Sequence, residues 1–504
     1  MSENLLAVLV DALGPERNGP FLRVPGRDAI TYEAILERSA LFAGVLRDHG
    51  AGPGERVAVQ VEKSPDAIAL YLACLRIGAV YLPLNTAYTG GELDHFLTDA
   101  EPRIFVARPG SHPDLPADIP PCDILDLEVD GSGMLCALAR TTSPLDDIID
   151  RRGDDIAAML YTSGTTGRPK GALLTHRNLE TNARALFEVW GWRRDDVLLH
   201  ALPVFHVHGL FVALHCAMLG GSTVEFLPRF STEAICEALP RSTVMMGVPT
   251  FYGRLLTEPA FDRALCRHMR LFISGSAPLP EGVFRAFEQH TGHRVLERYG
   301  MTETGILTSN PLDGERIGGT VGVPLPGVEV RICDEEDRLL GIDEIGAVQV
   351  RGPGVFEGYW RQPEKTAAEF LPDRFFRTGD LGSVDGEGRL TLAGRAGDLI
   401  ITGGLNVYPK EVELCLDGLP DIAESAVVGL PDPDFGEAVT AFVVPANPGG
   451  DALELETIRA ALRDRLAGFK QPRHLVVVED LPRNAMGKVE KARLRRNAGA
   501  PSHQ

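Results

Sequence analysis

A chain of 504 residues exceeds one ordinary domain, and a composition of 44% hydrophobic and 24% charged residues is that of a soluble globular protein whose core needs no disulfide or metal. The net charge of −20 argues against nucleic acid as the main partner, because phosphate backbones are bound by basic surface, yet it leaves room for a small anion held by a local cluster of donors. The eight cysteines are scattered, none closer than fourteen residues to the next and none in a CxxC pair, so they predict reduced thiols of a cytoplasmic protein rather than a zinc or redox site.

In chain order, residues 31–49 predict an amphipathic helix with Ile35, Phe42, Ala43 and Leu46 on one face. Residues 56–61 predict a strand, 64–77 a helix and 79–83 a short strand. Strands alternating with helices of this length imply a layered, mainly parallel α/β sheet. The nearest approach to a membrane span is the apolar run 67–84, but Arg76 interrupts it and it falls short of the ~20 residues required. The N-terminal segment has no basic region ahead of its apolar residues and does not read as a signal peptide. The Pro/Asp-rich stretch 108–123 reads as a surface loop. Beyond Ala393 the texture changes. Gly394, Gly397, Gly403 and Gly404 punctuate a short segment, after which about a hundred residues carry strands of their own (424–430, 438–444, 474–478) and a helix (455–466). The expected organisation is a large, multi-layered α/β N-terminal domain with mainly parallel sheets over 1–397, and a small α+β C-terminal domain over 398–504. The division falls near Asp398, and a polar, disordered tail begins at Asn497.

Residues 161–171 read YTSGTTGRPKG and follow an apolar, strand-like run at 156–160. Gly164, Gly167 and Gly171 let backbone N–H groups approach anionic oxygens. Thr162, Ser163, Thr165 and Thr166 add hydroxyl donors, and Lys170 adds a positive charge. The composition suits a polyphosphate, although it is not the GxxxxGK[ST] loop of P-loop NTPases.

This string closely resembles the signature of the adenylate-forming superfamily, which includes acyl-CoA synthetases, the adenylation domains of peptide synthetases and luciferases. Further segments resemble the family's motifs in the right order over about 330 residues: Gly275-Ser276-Ala277, Arg298-Tyr299-Gly300-Met301-Thr302-Glu303-Thr304, Thr378-Gly379-Asp380, Gly394-Arg395 with Asp398, Gly403-Gly404-Leu405-Asn406, and Pro482 to Lys488. One departure is Gly397, where many relatives have lysine; it removes a charge beside the hinge but no catalytic group. The resemblance implies ATP, Mg²⁺ and coenzyme A, with a carboxylate activated as its adenylate and passed to a thiol. Two anions must meet in the first step, so positive charge has to be supplied where negative charge develops. The implied sources are Mg²⁺ on Glu303 and Thr165, and Lys488 bridging carboxylate and α-phosphate, with Thr302 as a donor to that phosphate. The nucleotide is expected against Thr162, Ser163, Gly164, Thr165, Thr166, Gly167, Lys170, Gly275, Ser276, Ala277, Arg298, Tyr299, Gly300, Met301 and Thr302, with Asp380 on the ribose and Arg395 on ribose or phosphate. The small domain is implied to be mobile and to turn about Asp398 between the half-reactions. That turn brings Gly403 and Gly404 to the pantetheine arm, with Lys470 and Arg473 as candidates for the phosphates of CoA.

For the acid, the string Gly247-Val248-Pro249-Thr250-Phe251-Tyr252-Gly253-Arg254, with Val204-Phe205-His206-Val207-His208 and Ser274-Gly275-Ser276, resembles malonyl-CoA synthetases, a branch of that superfamily. It implies a small polar pocket in which Arg254 holds a distal carboxylate, assisted by Ser274 and His206. The expected partner is a small dicarboxylate, malonate or methylmalonate, the other possibility being a short- or medium-chain monocarboxylate. Neither nucleic acid nor a membrane is expected. An exposed lysine such as Lys488 is also a natural substrate for a lysine acetyltransferase, which would remove its charge.

Overall fold

The structure is a computed structural model that describes residues 2–15, 17–110, 122–162, 169–447, 453–463 and 465–499. Among these, the large N-terminal domain holds a nine-stranded and a seven-stranded sheet, both mainly parallel, and a four-stranded antiparallel sheet. The expected helices and strands form where periodicity and caps place them. The helix Tyr32–Asp48 starts on Thr31, whose side chain accepts from the Ala34 N–H, and buries Ile35, Phe42, Ala43 and Leu46. Ser64 caps Pro65–Arg76 in the same way, with Pro65 at the first helical position where its missing N–H costs nothing.

The apolar run that includes this helix is core, not membrane. Every residue of Pro65–Arg76 other than Asp66 is buried, and no helix of the described residues is long and apolar enough to cross a bilayer. Arg76 is tolerated there because backbone and hydroxyl oxygens receive it: it donates to Asp146 O at 2.5 Å, Leu36 O at 3.3 Å and Ser39 Oγ at 3.1 Å.

The C-terminal region forms a five-stranded sheet of its own, with Ile422–Asp432 and Gly436–Pro445 as its long antiparallel pair and His474–Val477 added in parallel. Its core of Ile400, Val407, Val412, Leu416, Val427, Val439 and Leu462 is separate from that of the large domain. Three sequence expectations change. The helix expected over 455–466 stops at Leu462, because Leu466 continues the buried periodicity without continuing the helix. Asp123, expected in a loop, opens the strand Asp123–Asp126; residues 111–121 of that stretch lie outside the described residues. Asn497 belongs not to a disordered tail but to the helix Lys491–Gly499, which is held by burial of Leu494 against Ala426, Val428, Phe442 and Leu481.

Replacing Arg76 by Met keeps the apolar stem but removes the donor to Leu36 O and Ser39 Oγ in the core and to Asp146 O nearer the surface. The variant is expected to lose about 2–4 kcal/mol, read as a lower urea midpoint at unchanged slope; an unchanged midpoint would show that the carbonyls find other donors.

Candidate active site

Parallel strands deliver their C-terminal ends to one edge, and ligands bind there in open α/β sheets. Here Val244–Gly247, Leu271–Ser274 and Leu296–Met301 lie side by side, with Gly247 opposite Ser274 and Ser274 opposite Glu297. The segments that leave them carry Arg254, Gly275, Ser276, Ala277, Thr302 and Glu303.

On one side is a ribose-and-metal half. Asp380 and Arg395 face each other across antiparallel strands, with Arg395 Nε 2.7 Å from Asp380 Oδ1. The Tyr299 hydroxyl donates to the other carboxylate oxygen, Oδ2. Glu303 is buried, and its Oε1 accepts from Thr162 Oγ1 at 3.0 Å and from the Tyr359 hydroxyl at 3.2 Å. Burial raises its pKa, while hydrogen bonds from its own backbone, Thr162 and Tyr359 pull the other way. Lys170 is buried as well. Its ammonium pairs with Glu369 Oε1 at 3.4 Å and sits over the Tyr359 ring, whose hydroxyl also contacts Glu369 Oε2 at 2.9 Å. Ser163, Gly164, Thr165, Thr166 and Gly167 lie outside the described residues. Tyr359 and Glu369, which organise this half, carry no motif; Glu369 lies 199 residues beyond Lys170, and the two meet through tertiary pairing of Gly358–Tyr359 with Lys170–Thr175.

A glutamate and a hydroxyl form no cage: among the described residues no group of three or more His, Cys, Asp and Glu could hold an ion. They do suit Mg²⁺, which keeps several waters and takes one or two carboxylates with phosphate oxygens.

On the other side is an acyl half. Successive residues of a strand point to opposite faces, so Tyr299 turns to Asp380 while Arg298 turns away from it. The Arg298 guanidinium lies against Gly275, where an added Cβ would stand only 2.3 Å from Cζ. It is close enough to His206, His208 and Tyr252 to shift or share their titration. Arg298, expected against the nucleotide, is turned by this alternation toward Gly275, His206, His208 and Tyr252. Arg298 is 5% exposed, and its Nε and Nη2 have no hydrogen-bond partner among the described residues. Burial pushes its pKa down to about 10. Ser274 Oγ and His208 Nε2 are likewise buried without partners. His208 Nδ1 is 3.2 Å from Ser276 Oγ, and Ser276 holds a left-handed φ of 71° that a non-glycine residue adopts only at a cost. His206 Nδ1 accepts from the His208 N–H at 3.2 Å, and burial plus Arg298 lower its pKa to about 4, so it is a neutral imidazole. Arg254, on the helix Pro249–Leu256, is exposed and makes no side-chain hydrogen bond or ion pair among the described residues.

The C-terminal domain closes over this edge. Met486 is buried in the hydrophobic core of the large domain, and a Cβ on Gly487 would be 2.9 Å from Thr250 Oγ1, one helical turn before Arg254. The loop is shaped by Asn484, whose Oδ1 accepts from the Met486 and Lys488 N–H groups at 3.0 Å each. Lys488 itself keeps solvent exposure. Burial of its ammonium and Arg395 lower its pKa, opposed by Asp380 and Asp398. Gly403 and Gly404, both at left-handed φ, are exposed. The Gly403 N–H donates to Phe435 O at 2.8 Å, and Arg473 stacks on the Phe435 ring at 3.6 Å, which brings Arg473 to the glycine turn; Lys470 is paired with Glu411 at 2.6 Å.

With this geometry in hand, comparison with known proteins is direct. The AMP-binding enzyme pattern matches residues 16–360, and the AMP-binding enzyme C-terminal domain matches 411–488. The chain belongs to the AMP-binding enzyme family. A malonate–CoA ligase of Arabidopsis thaliana is 37% identical over 493 residues, covering 89% of this chain and 79% of the relative. A feruloyl-CoA synthase of an Amycolatopsis species is 35% identical over 94% of this chain and 95% of its own. Among solved structures, ATP-bound MatB from Rhodopseudomonas palustris superimposes with a TM-score of 0.95 at 49% identity, covering 99% of each chain, whereas the apo form of MatB gives 0.85 at 48% over the same coverage.

Buried histidines of this AMP-binding enzyme give its stability a pH dependence of known sign. His176 and His206 are lowered to about 4 and His215 to about 3, from an ordinary 6.5, all chiefly by burial. Between those values the unfolded chain binds protons that the folded chain does not, so stability is intact above 6.5 and is lost as pH falls toward 4. Glu297, raised to about 7, Asp417, raised to about 6, and Glu303, also raised, all chiefly by burial, act oppositely and lose stability as pH rises. His200, His208 and His293 are lowered as well, so six imidazoles stand against three carboxyls. Urea midpoints are therefore expected to fall from pH 6.5 to 4; a midpoint that rises over this range would contradict the burial of these imidazoles.

Proposed function

We propose that this enzyme is an ATP-dependent malonate–CoA ligase. It joins malonate to the α-phosphate of ATP, releasing pyrophosphate, and then passes the malonyl group to coenzyme A, releasing AMP. The observation that carries the acid is the buried guanidinium of Arg298, whose Nε and Nη2 have no hydrogen-bond partner among the described residues, near His208, whose buried Nε2 is likewise unpartnered. A second carboxylate is the group that satisfies such donors, with guanidinium to carboxylate as the strongest pairing. An alkyl chain would leave each of them desolvated without a partner, at about 1–3 kcal/mol per group. The malonate-named relative supports the same acid, and the feruloyl-named one shows why the argument must rest on the pocket. Arg254, exposed on the helix one turn after Thr250, would add positive potential for the distal carboxylate.

The residues divide the work between the half-reactions. Glu303, beside Thr162, would hold the Mg²⁺, whose charge offsets that of the phosphates. Asp380, oriented by Tyr299 and Arg395, accepts from the ribose hydroxyls, and Thr302 donates to the α-phosphate. Lys488 brings positive charge to the point where carboxylate and α-phosphate meet. The better agreement with the ATP-bound than with the apo neighbour supports reading the closed arrangement, with Met486 seated in the large domain, as the adenylating one. For thioester formation the domain after Asp398 rotates and Lys488 leaves; Gly403 and Gly404 arrive without side chains to obstruct the pantetheine arm, and Arg473 and Lys470 face the phosphates of CoA. Lys488 remains accessible at the rim of the cleft, so an acetyltransferase would reach it and acetylation would remove its charge. All eight cysteines are free thiols, which supports a reducing, cytoplasmic setting.

The test is pyrophosphate release with malonate, methylmalonate, acetate, butyrate and octanoate. Malonate is expected to lead, and Arg298→Met to lower kcat/KM for malonate by at least ~30-fold while leaving monocarboxylates unchanged or improved. A native preference for butyrate or octanoate would overturn malonate and keep the ligase. In the same assay Lys488→Ala is expected to cut adenylate formation by about 10²–10³-fold yet spare CoA transfer from ready-made adenylate; loss of both steps would remove Lys488 from the first half-reaction.

A further inference from the structure

The turn Ala396–Asp398 joins Leu390–Arg395, the last strand of the four-stranded sheet of the large domain, to Ile400–Thr402, the first strand of the C-terminal sheet. Its last residue, Asp398, makes an ion pair with Arg495: Nη2 lies 2.7 Å from Oδ1, with both side chains about two-thirds to three-quarters buried. Arg495 sits on the helix Lys491–Gly499, which belongs firmly to the small domain. Leu494 is buried in that domain's outer cluster, and Lys491 Nζ is 2.6 Å from Glu413 Oε1, a carboxylate that also accepts from the Val427 N–H at 2.9 Å. The loop ahead of the helix is tied to the same sheet through Arg483 and Glu424. Helix, lysine loop and sheet therefore move as one body, and Arg495 is the arm by which that body grips the connecting turn.

We propose that Arg495 is a positioning residue that latches the adenylating arrangement through Asp398. The inference rests on the two-step ligase reading. A backbone rotation at residue 398 swings the helix relative to the Asp398 side chain, so an ion pair of this length is made in one arrangement and broken in the other. A group that favours one of two states shifts their populations by its differential energy alone. The pair also occupies Asp398 in a setting where the other nearby cations are Arg395 and Lys488, both of which feel its charge. With Arg495 in place, Asp398 does not draw the Lys488 ammonium away from the reacting phosphate. The sequence holds the two partners 97 residues apart, which is why no motif announces them.

The experiment measures the half-reactions separately on the full chain and on Arg495→Ala and Arg495→Lys. One assay is acid-dependent ATP–pyrophosphate exchange with the best acid of the panel above; the other is thioester formation from pre-formed acyl-adenylate and CoA. Arg495→Ala is expected to lose about five- to thirtyfold in exchange, the range of one partly buried ion pair, with transfer unchanged or faster, and Arg495→Lys to recover most of the exchange. An equal fall in both steps, or exchange unaffected by the alanine, overturns the latch. If the native chain exchanges only with a monocarboxylate, the malonate reading fails while this comparison still decides the latch; no exchange with any acid overturns both.

Discussion

A buried guanidinium with two nitrogens unpartnered among the described residues is the constraint on which the proposed acid half of this molecule depends. Desolvating a cation is expensive, and proteins usually offset the cost with a counter-ion or lower the pKa. Arg298 shows part of the second response and none of the first. Its surroundings are arranged around the unmet charge. Gly275 is a glycine because the guanidinium occupies the space of a side chain, and the two nearby imidazoles are held neutral. The left-handed Ser276 turns its hydroxyl to His208, leaving Nε2 pointing into the same space. The site is electrostatically incomplete until an anion enters, which is a form of preorganisation: the protein bears the desolvation in advance, and the substrate is bound by groups already oriented.

The nucleotide half is the opposite case. Nearly every charged group there is already paired: Asp380 with Tyr299 and Arg395, Glu303 with Thr162 and Tyr359, Lys170 with Glu369. These pairs hold carboxylates in fixed orientation while leaving lone pairs free, as a ribose diol or a hydrated cation needs. Among the described residues the cleft thus divides into a largely paired region around Asp380 and Glu303 and an unpaired one around Arg298. The strand Leu296–Met301 supplies both, because Arg298 and Tyr299 point to opposite faces.

Much of this was legible in the sequence. The alternation of strands and helices sufficed for the fold class, a large domain of mainly parallel sheets with a smaller one after it. The phosphate loop and the strand-end motifs were legible because local chemistry must be contiguous there. What was missed was long-range or depended on facing. Arg298 was read with the nucleotide because its motif is contiguous, although a strict period of two separates it from Tyr299. Arg254 was expected at the acid because the string 247–254 resembles malonyl-CoA synthetases, and a resemblance does not reveal that its side chain is exposed here. Tyr359, Glu369 and Arg495 act on partners far away in the chain and leave no local signature. The helix through Asn497 was hidden by its polar composition, since Leu494 alone among its residues reports the packing that holds it.

Met486 adds a thermal dimension to domain closure. Its side chain leaves the small domain to enter the core of the large one, so closure removes apolar surface from water in addition to forming polar contacts. Burying a methionine contributes on the order of 1.5–3 kcal/mol, and that contribution weakens on cooling because it carries a heat-capacity change. The balance between open and closed forms is therefore tied to temperature through one thioether, two residues from Lys488, and cold alone favours the undocked loop.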